Sequence, residues 1–219
     1  MNLIQFIMTH KDAKETVERH LPIWENISKE IYFVSPVDSM MSREINKYSE
    51  LGVGLAEHHG EKSAQRIISI FETALKIPDW THILLMEYDS FAISLPKEVM
   101  PDDCGISAAV YSQNKPIKFR GKFYLHYPML FTREGFWKTY ECLSRVKSND
   151  RLFSDRFIGR AVEYAGISVK NLLANKKAYS KNTILPEHYP KLRDAVKGGS
   201  LFYHGCKTQE VLDIILNNK

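Results

Sequence analysis

With 219 residues, the chain is long enough to bury a hydrophobic core, and its 44% hydrophobic and 26% charged residues are typical of a globular protein. A formal net charge of +4 is too small to indicate a nucleic-acid-binding protein, although it is compatible with small anionic ligands. No apolar run approaches the roughly 20 residues that cross a membrane, so the sequence predicts a protein without a membrane span.

The N-terminal part of the sequence predicts alternating strands and helices. Leu3–Met8 is an apolar run that ends in a polar loop, and a helical pattern follows from Ala13. Pro22 is expected to break or kink this helix before Ile27, because proline lacks the N–H that a helix interior needs. A second short strand is predicted at residues 31–34.

The next segment contains the clearest helix and the clearest strand. Residues 39–59 predict a loop with a possible strand at 51–55. Residues 61–77 have apolar side chains at helical spacing, and Pro78 ends that pattern. The continuous apolar run at 83–86 then predicts a strand covered on both faces. This order predicts an α/β fold with a mostly parallel central sheet flanked by helices.

The C-terminal half has weaker signals. Strands are predicted at residues 106–110, 123–131 and 167–172, helices at 133–146, Ser154–Ala165 and 209–216, and an irregular segment at 175–190. Pro128 falls inside one of these strands, so we expect that strand to be bent or to lie at an edge. Neither repeats nor low-complexity linkers occur in the sequence, which favours a single domain.

Two acidic residues follow the predicted central strand directly. Glu87 and Asp89 flank Tyr88 at the carboxyl end of that strand, and ligands of open α/β sheets gather at this edge. Carboxylate oxygens at this spacing suit Mg²⁺ or Mn²⁺ shared with a diphosphate. The motif is short, and a solvated turn at a strand end is the alternative interpretation.

An apolar strand followed by acid-x-acid resembles the metal-binding motif of glycosyltransferases with the GT-A fold, in which the usual form is Asp-x-Asp. Here Glu87 stands in place of the first aspartate. Three further stretches are similar to motifs of that family: residues 6–10 to its first nucleotide-binding strand, residues 153–161 to its acid-bearing helix start, and residues 203–205 to its C-terminal histidine. These short matches are spread along nearly the whole chain.

The resemblance implies a set of site residues. It implies a Mn²⁺ or Mg²⁺ ion held by Glu87, Asp89 and His204, a catalytic role for Asp155, and a donor nucleotide bound by Thr9, His10, Asp38, Arg66 and Tyr88. Each has an ordinary alternative. Asp155 can simply favour a helix N-terminus, and His204 can be a packed core residue. Arg66 can be a surface cation, and Asp38 a turn residue beside Pro36.

The family also implies an activity: transfer of a hexose or pentose from a nucleotide-sugar donor, with UDP expected, to a hydroxyl of a glycan or other acceptor. Residues 1–100 would bind the nucleotide and residues 101–219 the acceptor, within a single glycosyltransferase domain. Whether the reaction inverts or retains the anomeric centre stays open. The alternatives are a binding module without turnover and a metal-dependent phosphoryl hydrolase. The hydrolase is disfavoured because such enzymes use an aspartate after the first strand, where Thr9 and His10 stand.

The aromatic-rich segment 119–137, which includes His126, Tyr127 and Phe136, could line an acceptor sugar site, although most of its rings are expected in the core. The N-terminus lacks the basic start and cleavage site of a signal peptide. Three widely spaced cysteines also favour reduced thiols, so we expect a cytoplasmic protein without nucleic-acid partners.

Overall fold

The computed structural model of the chain describes residues 1–41, 48–53, 60–112, 123–146 and 154–217. These residues form a seven-stranded sheet with the strand order β3-β2-β1-β4-β7-β6-β8 and a three-stranded sheet with the order β5-β10-β9. The strands are β1 (Leu3–Met8), β2 (Ile31–Ser35), β3 (Ser49–Gly52), β4 (His82–Glu87), β5 (Ser90–Ala92), β6 (Gly105–Ser112), β7 (Phe123–Thr132), β8 (Ser168–Asn171), β9 (Ala178–Ser180) and β10 (Phe202–His204).

The large sheet is mostly parallel, as predicted. Strand β7 pairs antiparallel with both β4 and β6, and every other neighbouring pair in this sheet is parallel. The α-helices within the described residues are α1 (Lys14–Ile27), α2 (Gly60–Lys76), α3 (Arg133–Leu143), α4 (Ser154–Ala165), α5 (Tyr189–Lys197) and α6 (Gln209–Asn217). None of these helices is long and apolar enough to span a membrane.

Apolar side chains cover both faces of the central strands. Alternate residues of β1 and β4 enter two separate buried clusters; Ile7 and Leu84 belong to one, and Ile4 and Leu85 to the other. This confirms the prediction that residues 83–86 form a strand buried on both faces, because all four are buried. The parallel strands therefore end together at one edge, where polar residues follow each of them.

The expected break at Pro22 is not found, since α1 continues through this proline to Ile27. The residues after it explain why. Trp24 is fully buried, and its indole N–H donates a hydrogen bond of 3.0 Å to the carbonyl of Ser90. Tertiary packing of this turn outweighs the hydrogen bond that proline removes.

The edge position suggested for residues 123–131 is wrong, because β7 lies between β4 and β6. Pro128 is accommodated where the pairing is interrupted. The ladder with β4 ends at Met129, and the register with β6 shifts between Ser107 and Ala109. The missing N–H of the proline therefore falls at an irregularity, which is where sheets tolerate proline.

The small sheet and α5 were not predicted. The segment expected to be irregular, 175–190, contains β9, and the strand expected at 51–55 is found as Ser49–Gly52. In the rest of that expected strand, Val53 is not part of a strand, and residues 54 and 55 lie outside the described residues. β5, β9 and β10 have three residues each, too few to show a periodic pattern, and pairing with one another is what defines them.

Candidate functional site

A tight turn at the end of β4 presents the two acidic side chains. The backbone N–H of Glu87 donates to Ser90 Oγ at 3.0 Å, and that hydroxyl donates to the Glu87 carbonyl at 2.9 Å. The backbone N–H of Cys206 donates to the Asp89 carbonyl at 2.9 Å, which ties the turn to the chain after β10. The turn is thus fixed by local and by distant hydrogen bonds.

His204 reaches this turn through the small sheet. Strand β10 pairs antiparallel with β5, and this pairing places His204 opposite Ser90. His204 Nε2 lies 3.1 Å from Glu87 Oε2 and 3.7 Å from Asp89 Oδ1. The structure therefore brings together the three residues predicted to hold a metal, with one ligand atom of each within 4.8 Å of the others.

The chemistry of this cluster fits a divalent cation. Asp89 Oδ1 is buried and has no hydrogen-bond partner among the described residues, so its lone pairs remain available. Two carboxylates and one imidazole are a donor set suited to Mn²⁺, and to Mg²⁺ less closely because of the nitrogen ligand.

Burial and neighbouring charges perturb the titration of the cluster. The pKa of Asp89 is raised, mainly by burial and further by the Glu87 carboxylate, although the His204 and Lys207 charges oppose this. Burial alone would lower the pKa of His204, but the hydrogen bond to Glu87 and the charge of Asp89 outweigh burial and raise it. Acidic groups held this close in a cleft are stabilised by an added positive charge.

The first of two clefts beside the turn has a volume of about 420 Å³ and collects the residues predicted to bind the donor nucleotide: Thr9, His10, Asp38, Arg66 and Tyr88. They follow β1, β2 and β4 or, for Arg66, lie on α2. The His10 ring contacts the Tyr88 ring edge-on, with centroids 4.9 Å apart. Arg66 Nε is buried without a hydrogen-bond partner among the described residues, so it can donate to a ligand in this cleft.

The second cleft, also about 420 Å³, adjoins the first at His10, Glu87 and Tyr88 and contains Asp155. Asp155 is the second residue of α4, and its Oδ1 accepts a hydrogen bond of 2.7 Å from the Arg156 N–H. Its Oδ2 lies 3.7 Å from His126 Nε2. Burial raises the pKa of Asp155 to about 6, partly opposed by the Arg156 N–H and reinforced by the Glu87 charge.

Two polar residues near the acidic turn were not predicted: Lys207, which lines the second cleft, and Ser180, which contacts two histidines of that cleft. Lys207 Nζ lies 3.6 Å from Asp89 Oδ2, and its spacing of three residues after His204 was the only signal in the sequence. Ser180 Oγ lies 2.9 Å from His126 Nδ1 and 3.2 Å from His204 Nδ1. Its segment was expected to be irregular, and only the pairing of β9 with β10 places it here.

The aromatic segment 119–137 divides between the cleft and the core. His126 and Tyr127 line the second cleft, as the acceptor hypothesis expects. Phe136 does not, because it is fully buried and stacks on Phe71 with ring centroids 3.9 Å apart. Residues 119–122 of this segment, and residue 153 of the helix-start motif, lie outside the described residues.

Solved structures with the same architecture place the chain in a known fold. The apo structure of the bifunctional glycosyltransferase WbbM matches with a TM-score of 0.59 and 11% identity over 99% of this chain, which spans 50% of the WbbM chain. An active-site mutant of LgtC matches with a TM-score of 0.55 and 9% identity, over 96% of this chain and 93% of that one. The chain has the GT-A fold.

At these identities the likeness is one of fold alone and assigns no role to any side chain. No protein-family model matches the sequence, and no curated protein sequence is significantly similar to it.

A backbone feature next to His204 gives a first prediction. Gly205 has a positive φ of +85°, and a Cβ there would lie 2.3 Å from the Lys181 carbonyl oxygen. Gly205→Ala should therefore destabilise the protein by at least about 1–3 kcal/mol, the usual cost of such strain, and should displace His204. Gly199→Ala is the matched control, because Gly199 has a φ of +77° with open space around its Cβ position. If urea denaturation showed equal losses of unfolding free energy in the two variants, the close approach of the Lys181 carbonyl to Gly205 would be contradicted.

Proposed function

We propose that this protein is a metal-dependent glycosyltransferase that moves a hexose or pentose from a nucleotide-sugar donor to an acceptor hydroxyl. We expect a UDP-sugar as donor and a glycan or another hydroxyl compound as acceptor. One observation carries the proposal: Glu87, Asp89 and His204 form a cluster where two clefts adjoin. All three residues line the second cleft, which contains Asp155, and Glu87 also lines the first cleft, which contains the residues predicted to bind a nucleotide. Both clefts include His10, Glu87 and Tyr88, so a ligand in either meets the same acidic turn.

Glu87, Asp89 and His204 would hold the ion, and the buried, unpartnered Asp89 Oδ1 supports this assignment. A bound Mn²⁺ or Mg²⁺ ion would supply positive charge for the diphosphate of the donor and for the nucleoside diphosphate that leaves. Holding the ion would also relieve the mutual repulsion of the Glu87 and Asp89 carboxylates.

The residues of the first cleft would position the donor. Asp38 could accept hydrogen bonds from the ribose or the base, and the Arg66 guanidinium could donate to phosphate oxygens. Lys207, which lines the second cleft and lies 3.6 Å from Asp89 Oδ2, would contribute a second cation to the diphosphate. These cations would bind the negative charge that grows on the leaving group during transfer.

The second cleft would bind the acceptor next to Asp155. In an inverting reaction, Asp155 would take the proton of the acceptor hydroxyl as the sugar is transferred. Its pKa of about 6 leaves it ionised at neutral pH and basic enough to accept a proton. In a retaining reaction, the same carboxylate would orient the acceptor and the sugar.

A panel assay tests the proposed activity. Purified protein is incubated with UDP-, GDP-, ADP- and CMP-sugars, each with Mn²⁺, Mg²⁺ or excess chelator, and both released nucleotide and transferred sugar are measured. We expect one nucleotide class to be turned over with Mn²⁺ and not in chelator. Undiminished activity in chelator would contradict the proposed metal dependence. Release of inorganic phosphate from simple phosphoesters would indicate a hydrolase. Tight nucleotide binding without release would indicate a binding module.

A further inference from the structure

One hydroxyl group lies between two buried histidines in the second cleft. Ser180 Oγ is 3.2 Å from Nδ1 of His204 and 2.9 Å from Nδ1 of His126. The exposed fractions of the three residues are 4%, 6% and 6%. The hydroxyl thus forms a hydrogen-bonded link between the proposed metal ligand and the histidine beside Asp155.

Three strands and one tyrosine hold this arrangement. The parallel pairing of β9 with β10 sets Ser180 beside His204, and β7 brings His126 from the large sheet. The Tyr111 hydroxyl donates to the Ser180 carbonyl at 2.7 Å, and its ring packs on the His126 ring with centroids 4.6 Å apart. Ser180 is therefore fixed relative to both imidazoles.

The chemistry of a hydroxyl couples the two rings. Ser180 has one proton to donate, so one imidazole can accept from it, and the other must donate to it. His204 binds a metal through Nε2 only when that nitrogen carries no proton, which places the ring proton on Nδ1. Nδ1–H of His204 then donates to Ser180, and Ser180 donates to Nδ1 of His126. The remaining proton of His126 lies on Nε2, which faces Asp155 Oδ2 at 3.7 Å.

We propose that Ser180 and His126 are positioning residues that link the metal-binding tautomer of His204 to an N–H directed at Asp155. The proposal rests on the proposed function, since it takes His204 as a metal ligand and Asp155 as the acceptor-side carboxylate. The opposite set of tautomers would do two unfavourable things at once. It would place a proton on His204 Nε2, where the ion binds, and a lone pair of His126 against the Asp155 carboxylate.

Metal affinity, measured without turnover, tests whether Ser180 supports the metal-binding tautomer of His204. Mn²⁺ binding by calorimetry should weaken about 10- to 100-fold in Ser180→Ala, the usual effect of removing the group that orients a ligating histidine. Ser180→Thr keeps a hydroxyl and should restore most of the affinity. Ser107→Ala is the control, because Ser107 is fully buried and its hydroxyl has no partner among the described residues. Thermal unfolding of each variant establishes that it folds.

The tautomers of the two imidazole rings test whether Ser180 also directs the N–H of His126 at Asp155. In wild-type protein saturated with diamagnetic Mg²⁺ and nucleoside diphosphate, ¹⁵N NMR of the imidazoles should show His204 protonated at Nδ1 and His126 protonated at Nε2. In folded Ser180→Ala, His126 should lose this single tautomer. His126 protonated at Nδ1 in the loaded wild type, or unchanged metal affinity in Ser180→Ala, would overturn the link. Wild-type protein that binds no divalent ion would instead overturn the proposed function.

Discussion

Asp89→Asn should abolish sugar transfer while the fold is retained. The substitution removes one carboxylate from the cluster with Glu87 and His204, and several kcal/mol of charge stabilisation correspond to a loss of about 10³-fold or more in rate. Mn²⁺-dependent binding of a nucleoside diphosphate should fall with it. The melting temperature should be unchanged or higher, because burial raises the pKa of Asp89 and a neutral amide avoids the cost of a buried charge.

Asp102→Asn provides the matched control for this substitution, since Asp102 is exposed and outside both clefts. It should leave Mn²⁺ binding and transfer within error of the wild type. If Asp89→Asn bound Mn²⁺ and nucleotide as tightly as Asp102→Asn does, Asp89 would not be a metal ligand. A large loss of melting temperature would show instead that the carboxylate is needed for folding.

Asp155→Ala should lower the rate of transfer far more than it weakens donor binding. A base positioned on the acceptor hydroxyl contributes about 10²- to 10⁴-fold, whereas Asp155 does not line the first cleft, in which we propose that the donor nucleotide binds. Transfer rate and the dissociation constant of the nucleoside diphosphate are measured on the same preparation. Equal losses in the two quantities would show that Asp155 does not act as the base.

The pH dependence gives an independent measurement of the same residue. A base works only when it is deprotonated, and burial sets the pKa of Asp155 at about 6. In the wild type, kcat/KM should therefore be constant at neutral pH and fall about tenfold per pH unit below pH 6. Residual activity of Asp155→Ala should lack this acid limb. An unchanged acid limb in the variant would assign the titration to another group.

The sequence predicted those parts of the site that depend on one strand and the loop after it. The apolar run 83–86 and the acids beyond it identify a buried strand and its ligand-side end. Thr9, Asp38 and Tyr88 follow strands in the same way, and the structure places all three on one cleft. Their roles as nucleotide ligands stay predictions. The GT-A fold was predicted from the motifs, whose order along the chain follows the order of the elements.

The sequence could not predict contacts that arise between distant short strands. Ser180, His204 and Ser90 meet because β9, β10 and β5 pair, although each strand has only three residues and none has a detectable period. The break considered at Pro22 and the edge position considered for the strand with Pro128 were wrong for a related reason. Local preference disfavours proline in helices and inner strands, but packing of Trp24 and a shifted register with β6 decide otherwise.

The sequence by itself thus determined the central sheet, its ligand-side edge and the acidic turn, because burial and hydrophobic pattern act over consecutive residues. Tertiary structure decided the rest of the site. It brought His204 to 3.1 Å from Glu87, set Ser180 between two imidazoles and placed the half-buried Asp155 beside His126. These distances join side chains that are up to 117 residues apart in the sequence, and only the tertiary fold brings such residues together.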